Sequence, residues 1–126
     1  MSLFKVGFKW KGSYDAPLPY GRREYTCEII EIKDEYNFIG QGEDAEGQFS
    51  IKGSLSNIKT IVEDGTEHQT CDVHFNKDYL SDDGYKGIQY NGKLVQEKIT
   101  GEYSFLWKKA FLSKTVTGKF EMDLVR

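Results

Sequence analysis

Proline and cysteine are scarce, with two of each in 126 residues. Two cysteines do not make a disulfide framework. No apolar run approaches the roughly 18 residues that a helix needs to span a membrane. No signal peptide is expected ahead of the first structured segment, and a cytoplasmic location is expected. Basic charge is also short: 17 Lys+Arg stand against 20 Asp+Glu, a net charge of −3 with a pI of about 5.4. A dedicated nucleic-acid binder needs a basic surface that displaces counterions, so no nucleic-acid partner is expected. No long helical periodicity is present, and the length fits one domain over residues 1–126.

What the chain has is aromatic residues and glycine: 8 Phe, 8 Tyr, 2 Trp and 13 Gly. Large rings bury much area per residue, and glycine with little proline suits tight turns in a β-rich fold. Phe4, Val6, Phe8, Trp10, Gly12 and Tyr14 alternate with residues that include Lys5, Lys9 and Lys11. That period of two is a strand with one face buried. Val116, Gly118, Phe120, Met122 and Leu124 alternate in the same way near the other end.

Further strands are expected over 25–33, 36–43, 48–55, 70–79, 85–90 and 93–105. The apolar phase slips at Ile29-Ile30, which predicts a β-bulge. Asn91-Gly92 has the composition of a type I′ hairpin turn. Residues 56–69 are expected to be a long connection, with a doubtful ninth strand at 58–63. Eight strands, with both ends alternating, predict an all-β fold: a single closed antiparallel up-and-down barrel, first strand against last.

Gly12, Gly40, Gly42, Gly53, Gly101 and Gly118 fall in the apolar phase. An even loop at 44–47 would pair Gly42 with Phe49 and Phe38 with Gly53, setting a ring over each glycine. Such glycines either curve a filled barrel or open a cavity, and the number of rings favours curvature and filling.

The run Phe38-x-Gly40-x-Gly42-x-Asp44-x-x-Gly47-x-Phe49-x-Ile51-x-Gly53 resembles a small glycine-rich β-barrel module of obscure function that recurs in eukaryotes. Phe75-x-Lys77-x-Tyr79, Tyr90-Asn91-Gly92, Ile99-x-Gly101-x-Tyr103 and Gly118-x-Phe120 continue the pattern over about two thirds of the chain. The resemblance implies a compact barrel and no activity. Gly7 to Trp10 is similar to the entry of avidin-like and lipocalin-like barrels, with a spacing one residue longer. No biotin-binding set matches. The only arginines, Arg22, Arg23 and Arg126, do not form the internal Arg-x-Tyr of fatty-acid-binding proteins.

Strand parity puts loops 15–23, 44–47, 80–84 and 106–113 at one end of the barrel. The inward residues expected there are Tyr14, Tyr25, Lys77, Tyr79 and Tyr103, a ring of phenols around one lysine. The opposite end is expected to be plugged by Phe4, Val6, Phe38, Leu55, Val73, Ile88, Val95, Met122 and Leu124. An apolar floor with hydroxyls at its mouth is the usual mix of a small-molecule site, and equally the cap of a solid core. Loop 15–23 is stiffened by Pro17 and Pro19. Loop 106–113 carries Leu106, Trp107, Phe111 and Leu112 around two lysines. Leu18, Tyr20, Trp107 and Phe111 are therefore the expected partner contacts.

His68-x-x-Cys71-x-x-His74 has no metal geometry on a strand, because the two histidines would lie about 20 Å apart and Cys71 would face the other way. Glu43–Gly47 and Ser81–Gly84 read as hairpin turns. No nucleophile elbow, phosphate loop or dinucleotide fingerprint is present, and no cofactor is expected. The first expectation is thus a non-catalytic binding domain that takes a small apolar or aromatic ligand at the tyrosine end. The alternative is a protein-interaction module with a filled barrel, using loops 15–23 and 106–113. An enzyme would need a polar cluster not visible in the sequence.

Overall fold

A computed structural model describes residues 4–16 and 21–126. The strands are β1 (Lys9–Ala16), β2 (Gly21–Lys33), β3 (Asn37–Asp44), β4 (Gly47–Glu63), β5 (Thr66–Tyr79), β6 (Ile88–Val95), β7 (Lys98–Lys109) and β8 (Leu112–Leu124). Each pairs antiparallel with the next. β1 also pairs with β8, from Trp10↔Leu124 to Tyr14↔Phe120, and closes the ring. Closure leaves the barrel wall without a free edge. Among the described residues no helix is long and apolar enough to cross a membrane.

The interior is built from the alternating residues. Trp10, Cys27, Phe38, Phe49, Phe75, Leu94, Ile99 and Phe120 are buried, and Phe105 is partly buried against them. Phe75 stacks on Tyr90 at 4.6 Å between ring centroids, and Phe120 meets Tyr90 edge-on at 4.9 Å. Phe4, Trp10 and Phe38 fill the opposite end, with centroids 5.3 and 5.0 Å from Phe4. Phe38 pairs with Gly53 and Gly42 with Phe49. A Cβ on Gly42 would stand 2.8 Å from the Phe49 ring, and one on Gly53 2.8 Å from the Phe38 ring. The space at each glycine is taken by a neighbouring strand's backbone, the Thr26 carbonyl at 2.0 Å and the His74 carbonyl at 2.2 Å, together with the ring across the ladder, which curves and fills the wall. The bulge lies at Ile29–Glu31, leaving Ile29 buried and Ile30 exposed.

Four expectations are corrected. Phe4–Phe8 is not strand: the N–H of Phe8 bonds the Lys5 carbonyl at 3.0 Å, and Gly7 has φ +91°. This turn keeps Phe4 buried and swings Val6 outward, where it is 61% exposed. Residues 56–69 are not a connection. β4 and β5 continue through them as a hairpin, with a register shift between Ser56 and Lys59. Its two-residue turn is Asp64-Gly65, both at positive φ (50° and 75°), as a type I′ turn requires.

Asn91-Gly92 is not a turn but the middle of β6. Gly92 lies opposite Gly101, and a Cβ there would meet the Thr100 carbonyl at 2.6 Å and the Phe120 ring at 3.0 Å. The need for bare backbone beneath Phe120 outweighs the local turn propensity. The chain reverses at Gln96-Glu97 instead, and Val95 points outward at 50% exposure. Finally, most of 106–113 is strand, and only Ala110 and Phe111 form the turn.

Candidate functional site: the tyrosine end and the β7–β8 arm

Turns of one parity gather at one end of the barrel, and there β5 delivers Lys77 and Tyr79 inward. β3 ends at the same level with Asp44, in phase with Phe38, Gly40 and Gly42. Lys77 Nζ donates to Asp44 Oδ2 at 2.7 Å, and the Tyr79 hydroxyl donates to the same oxygen at 2.5 Å. The side chains of Lys77 and Asp44 are 2% and 0% exposed. The second carboxylate oxygen accepts the Glu46 N–H at 2.8 Å. Around the ammonium stand the rings of Phe49 at 4.3 Å, Tyr79 at 4.8 Å, Tyr14 at 5.0 Å, Tyr25 at 5.2 Å and Tyr90 at 5.8 Å. Faces of aromatic rings attract a cation, so the cage replaces part of the hydration that Lys77 gives up.

All five residues expected at this end converge. Tyr14 lies 6.1 Å from Tyr25 and 5.6 Å from Tyr103, and the Tyr103 hydroxyl donates to the Asp15 carbonyl. Tyr14 alone among them is half-buried, at the mouth. Asp44 and Tyr90 belong to the cluster and were missed. The turn composition of Glu43–Gly47 hid Asp44. Its even-numbered phase with Phe38 was the signal that places it inside.

Burial pushes the Lys77 pKa down, and Asp44 opposes that shift. Burial pushes the Tyr79 phenol far up, reinforced by its bond to Asp44, and it raises Tyr25 and Tyr90 strongly as well. Tyr14 and Tyr103 are also raised by burial. The cluster therefore holds neutral phenols around one closed ion pair. Asp44 accepts on both oxygens, so the pair is saturated rather than poised for proton transfer. The Tyr25 hydroxyl is the exception: it is buried with no hydrogen-bond partner among the described residues.

Compared with known proteins, the chain matches no family model, no curated protein and no solved structure.

Two concavities lie on the outside of the wall. One runs across Lys9, Lys11, Glu28, Gln41 and Gln48, and the other across Ser13, Arg22, Thr100 and Lys119. Parts of the buried residues Trp10, Cys27 and Phe49 also line the first, and Phe120 the second. Cys71 is buried while His68 and His74 take the opposite phase, and His74 Nδ1 meets Asn91 Oδ1 at 2.7 Å.

The expected partner contacts Leu18 and Tyr20 lie outside the described residues. Trp107 and Phe111 sit on a projection that the sequence did not foretell. Among the described residues, β7 leaves its ladder with β6 after Ser104, and β8 joins β1 only from Phe120 onward. Between them Phe105↔Val116 to Lys109↔Leu112 form a two-stranded arm beyond the barrel rim. Phe105 anchors its base, 4.8 Å from the Tyr85 ring. At its tip Phe111 is fully exposed, Leu106 and Leu112 are exposed, and Trp107 is half-buried.

Proposed function

We propose that this protein is a non-catalytic interaction module: a filled barrel that contacts a protein partner through the β7–β8 arm. The observation that carries this reading is the arm itself. Leu106, Phe111 and Leu112 are exposed together on a projection whose strands pair only with each other among the described residues. Clustered exposed apolar side chains on one projection mark a contact surface. The rings that occupy the wall glycines and fill the interior support a surface mode of binding over an internal one. We also propose the glycine-rich barrel module, and more distantly the avidin-like and lipocalin-like barrels, as its structural kin. The eight-stranded up-and-down order supports that kinship.

A second reading is favoured by one observation, the unpartnered buried hydroxyl of Tyr25 beneath half-buried Tyr14. A small apolar or aromatic ligand with one polar edge, entering at Tyr14, would satisfy it. Tyr14, Tyr25, Lys77, Tyr79 and Tyr103 would then be its contacts.

A photo-crosslinking phenylalanine analogue at position 111 separates these readings in cells that make the protein. The interaction module gives a discrete protein adduct from position 111 and none from the exposed wall position 26. Equal adducts from both positions would overturn it.

A further inference from the structure

The barrel carries a second arm, at the opposite pole. β4 leaves its ladder with β3 after Ser54, and β5 joins β6 only from Thr70 onward. The segments from Thr60↔Gln69 to Glu63↔Thr66 pair only with each other among the described residues. Alternation of the turns sends the Asp64-Gly65 tip to the end away from Ala110-Phe111. This arm also exposes apolar side chains, Ile61 and Val62.

The two arms are opposite in charge. Residues 105–116 contain Lys108, Lys109 and Lys114 and no acid, a net +3 in a chain of −3. Residues 57–69 contain Glu63, Asp64 and Glu67 against Lys59, a net −2. On the basic arm the cross-strand pairs Trp107↔Lys114 and Lys109↔Leu112 each set an apolar residue beside a lysine. On the acidic arm Val62↔Glu67 sets an apolar residue beside a carboxylate. Each arm thus mixes exposed apolar area with a net charge of one sign, and the other pole of the molecule carries its complement. A two-stranded ribbon also leaves backbone edges open for strand addition.

We infer that the occupant of the basic β7–β8 arm is the acidic β4–β5 arm of a second copy of this chain. This rests on the interaction-module reading and names its partner. Because the two patches differ and lie at opposite poles, the contact is head-to-tail and propagates unless the rotation closes a ring. Apolar contact between the Ile61–Val62 and Phe111–Leu112 surfaces supplies affinity. The lysine–carboxylate match sets orientation and makes association sensitive to salt.

Sedimentation velocity on the full chain tests this with two charge-swapped variants. Lys108→Glu/Lys109→Glu/Lys114→Glu carries two acidic arms, and Glu63→Lys/Glu67→Lys carries two basic ones. All five side chains lie on exposed positions, and both variants should keep the native β-sheet circular dichroism. The wild-type chain should associate as concentration rises and dissociate in high salt. Each variant alone should self-associate at least about 10-fold more weakly. An equimolar mixture of the two should regain association. A wild-type chain that stays monomeric throughout, or variants that associate as it does, would overturn the inference. So would a monomeric chain that instead binds phosphatidylserine vesicles through the basic arm. A discrete adduct from position 111 to an unlike protein, with the chain monomeric, would sink the self-pairing yet leave the interaction module standing.

Discussion

At the scale of single residues, Asp44 holds the tyrosine end together. Its carboxylate neutralises Lys77, fixes the Tyr79 hydroxyl and caps its own turn through the Glu46 N–H. Asp44→Ala should cost about 3–5 kcal/mol, because it strands a buried ammonium. Lys77→Met should be similarly costly, since it strands the carboxylate. The double variant Asp44→Ala/Lys77→Met removes both charges and should cost far less than the sum of the single changes. A denaturant-unfolding cycle reads the coupling, and additive effects would contradict a closed pair. The sequence carried five of the seven residues of this cluster and not Asp44 or Tyr90. Alternation placed Tyr14, Tyr25, Lys77, Tyr79 and Tyr103 inward and at one rim. Asp44 followed the same alternation, but its neighbours Glu43, Ala45 and Glu46 gave it the look of an ordinary solvated turn.

Among the elements, the ladder is set by where rings need room. Pairing of Phe38 with Gly53 and of Gly42 with Phe49 was legible, because an even loop at 44–47 leaves no other register in phase. The bulge at Ile29–Glu31 was legible for the same reason, from a break in phase. The β6–β7 hairpin was not. Asn91-Gly92 favours a turn locally, whereas the demand for glycine comes from Gly101 and Phe120, distant in sequence. A Cβ on Gly101 would stand 2.0 Å from the Asn91 carbonyl oxygen, and one on Gly12 would stand 2.3 Å from the Tyr25 ring. Backbone cannot step aside as a ring can. Gly101→Ala should therefore destabilise by about 3 kcal/mol or more, and Gly12→Ala by about 1–2 kcal/mol. Thermal midpoints in the reverse order would contradict this ranking. The two arms were invisible in the sequence. A strand that outruns its neighbours has the same alternation as one that does not.

For the whole molecule, the buried phenols and thiols set the response to alkali. Burial raises Cys27 from its ordinary value of 9.0 to about 12 and Cys71 to about 11. It raises Tyr14, Tyr25, Tyr79, Tyr90 and Tyr103 above the ordinary 10.0. A group whose pKa is raised by folding contributes stability that is complete below the open-chain value and lost as pH rises toward the folded one. Lys77 works the other way. Its lowered pKa makes folding more favourable as pH rises through the lowered value toward 10.5. One lysine stands against seven acids, so the thermal midpoint should hold to about pH 9 and fall steeply above about pH 10. Tyrosinate absorbance should appear together with unfolding. Ionisation of all the tyrosines in a chain that stays folded would contradict the burial of this cluster.

The central claim is that the barrel is solid and that recognition takes place outside it. Trp10 is 0% exposed at the floor of the barrel, while Trp107 lies on the arm. With Trp107→Phe, Trp10 is the sole tryptophan, and acrylamide quenching of its emission probes the interior directly. A filled barrel predicts emission that acrylamide barely reduces until the protein unfolds. Strong quenching in the folded state would mean that small molecules enter the barrel, and would return the tyrosine end to the role of a ligand site.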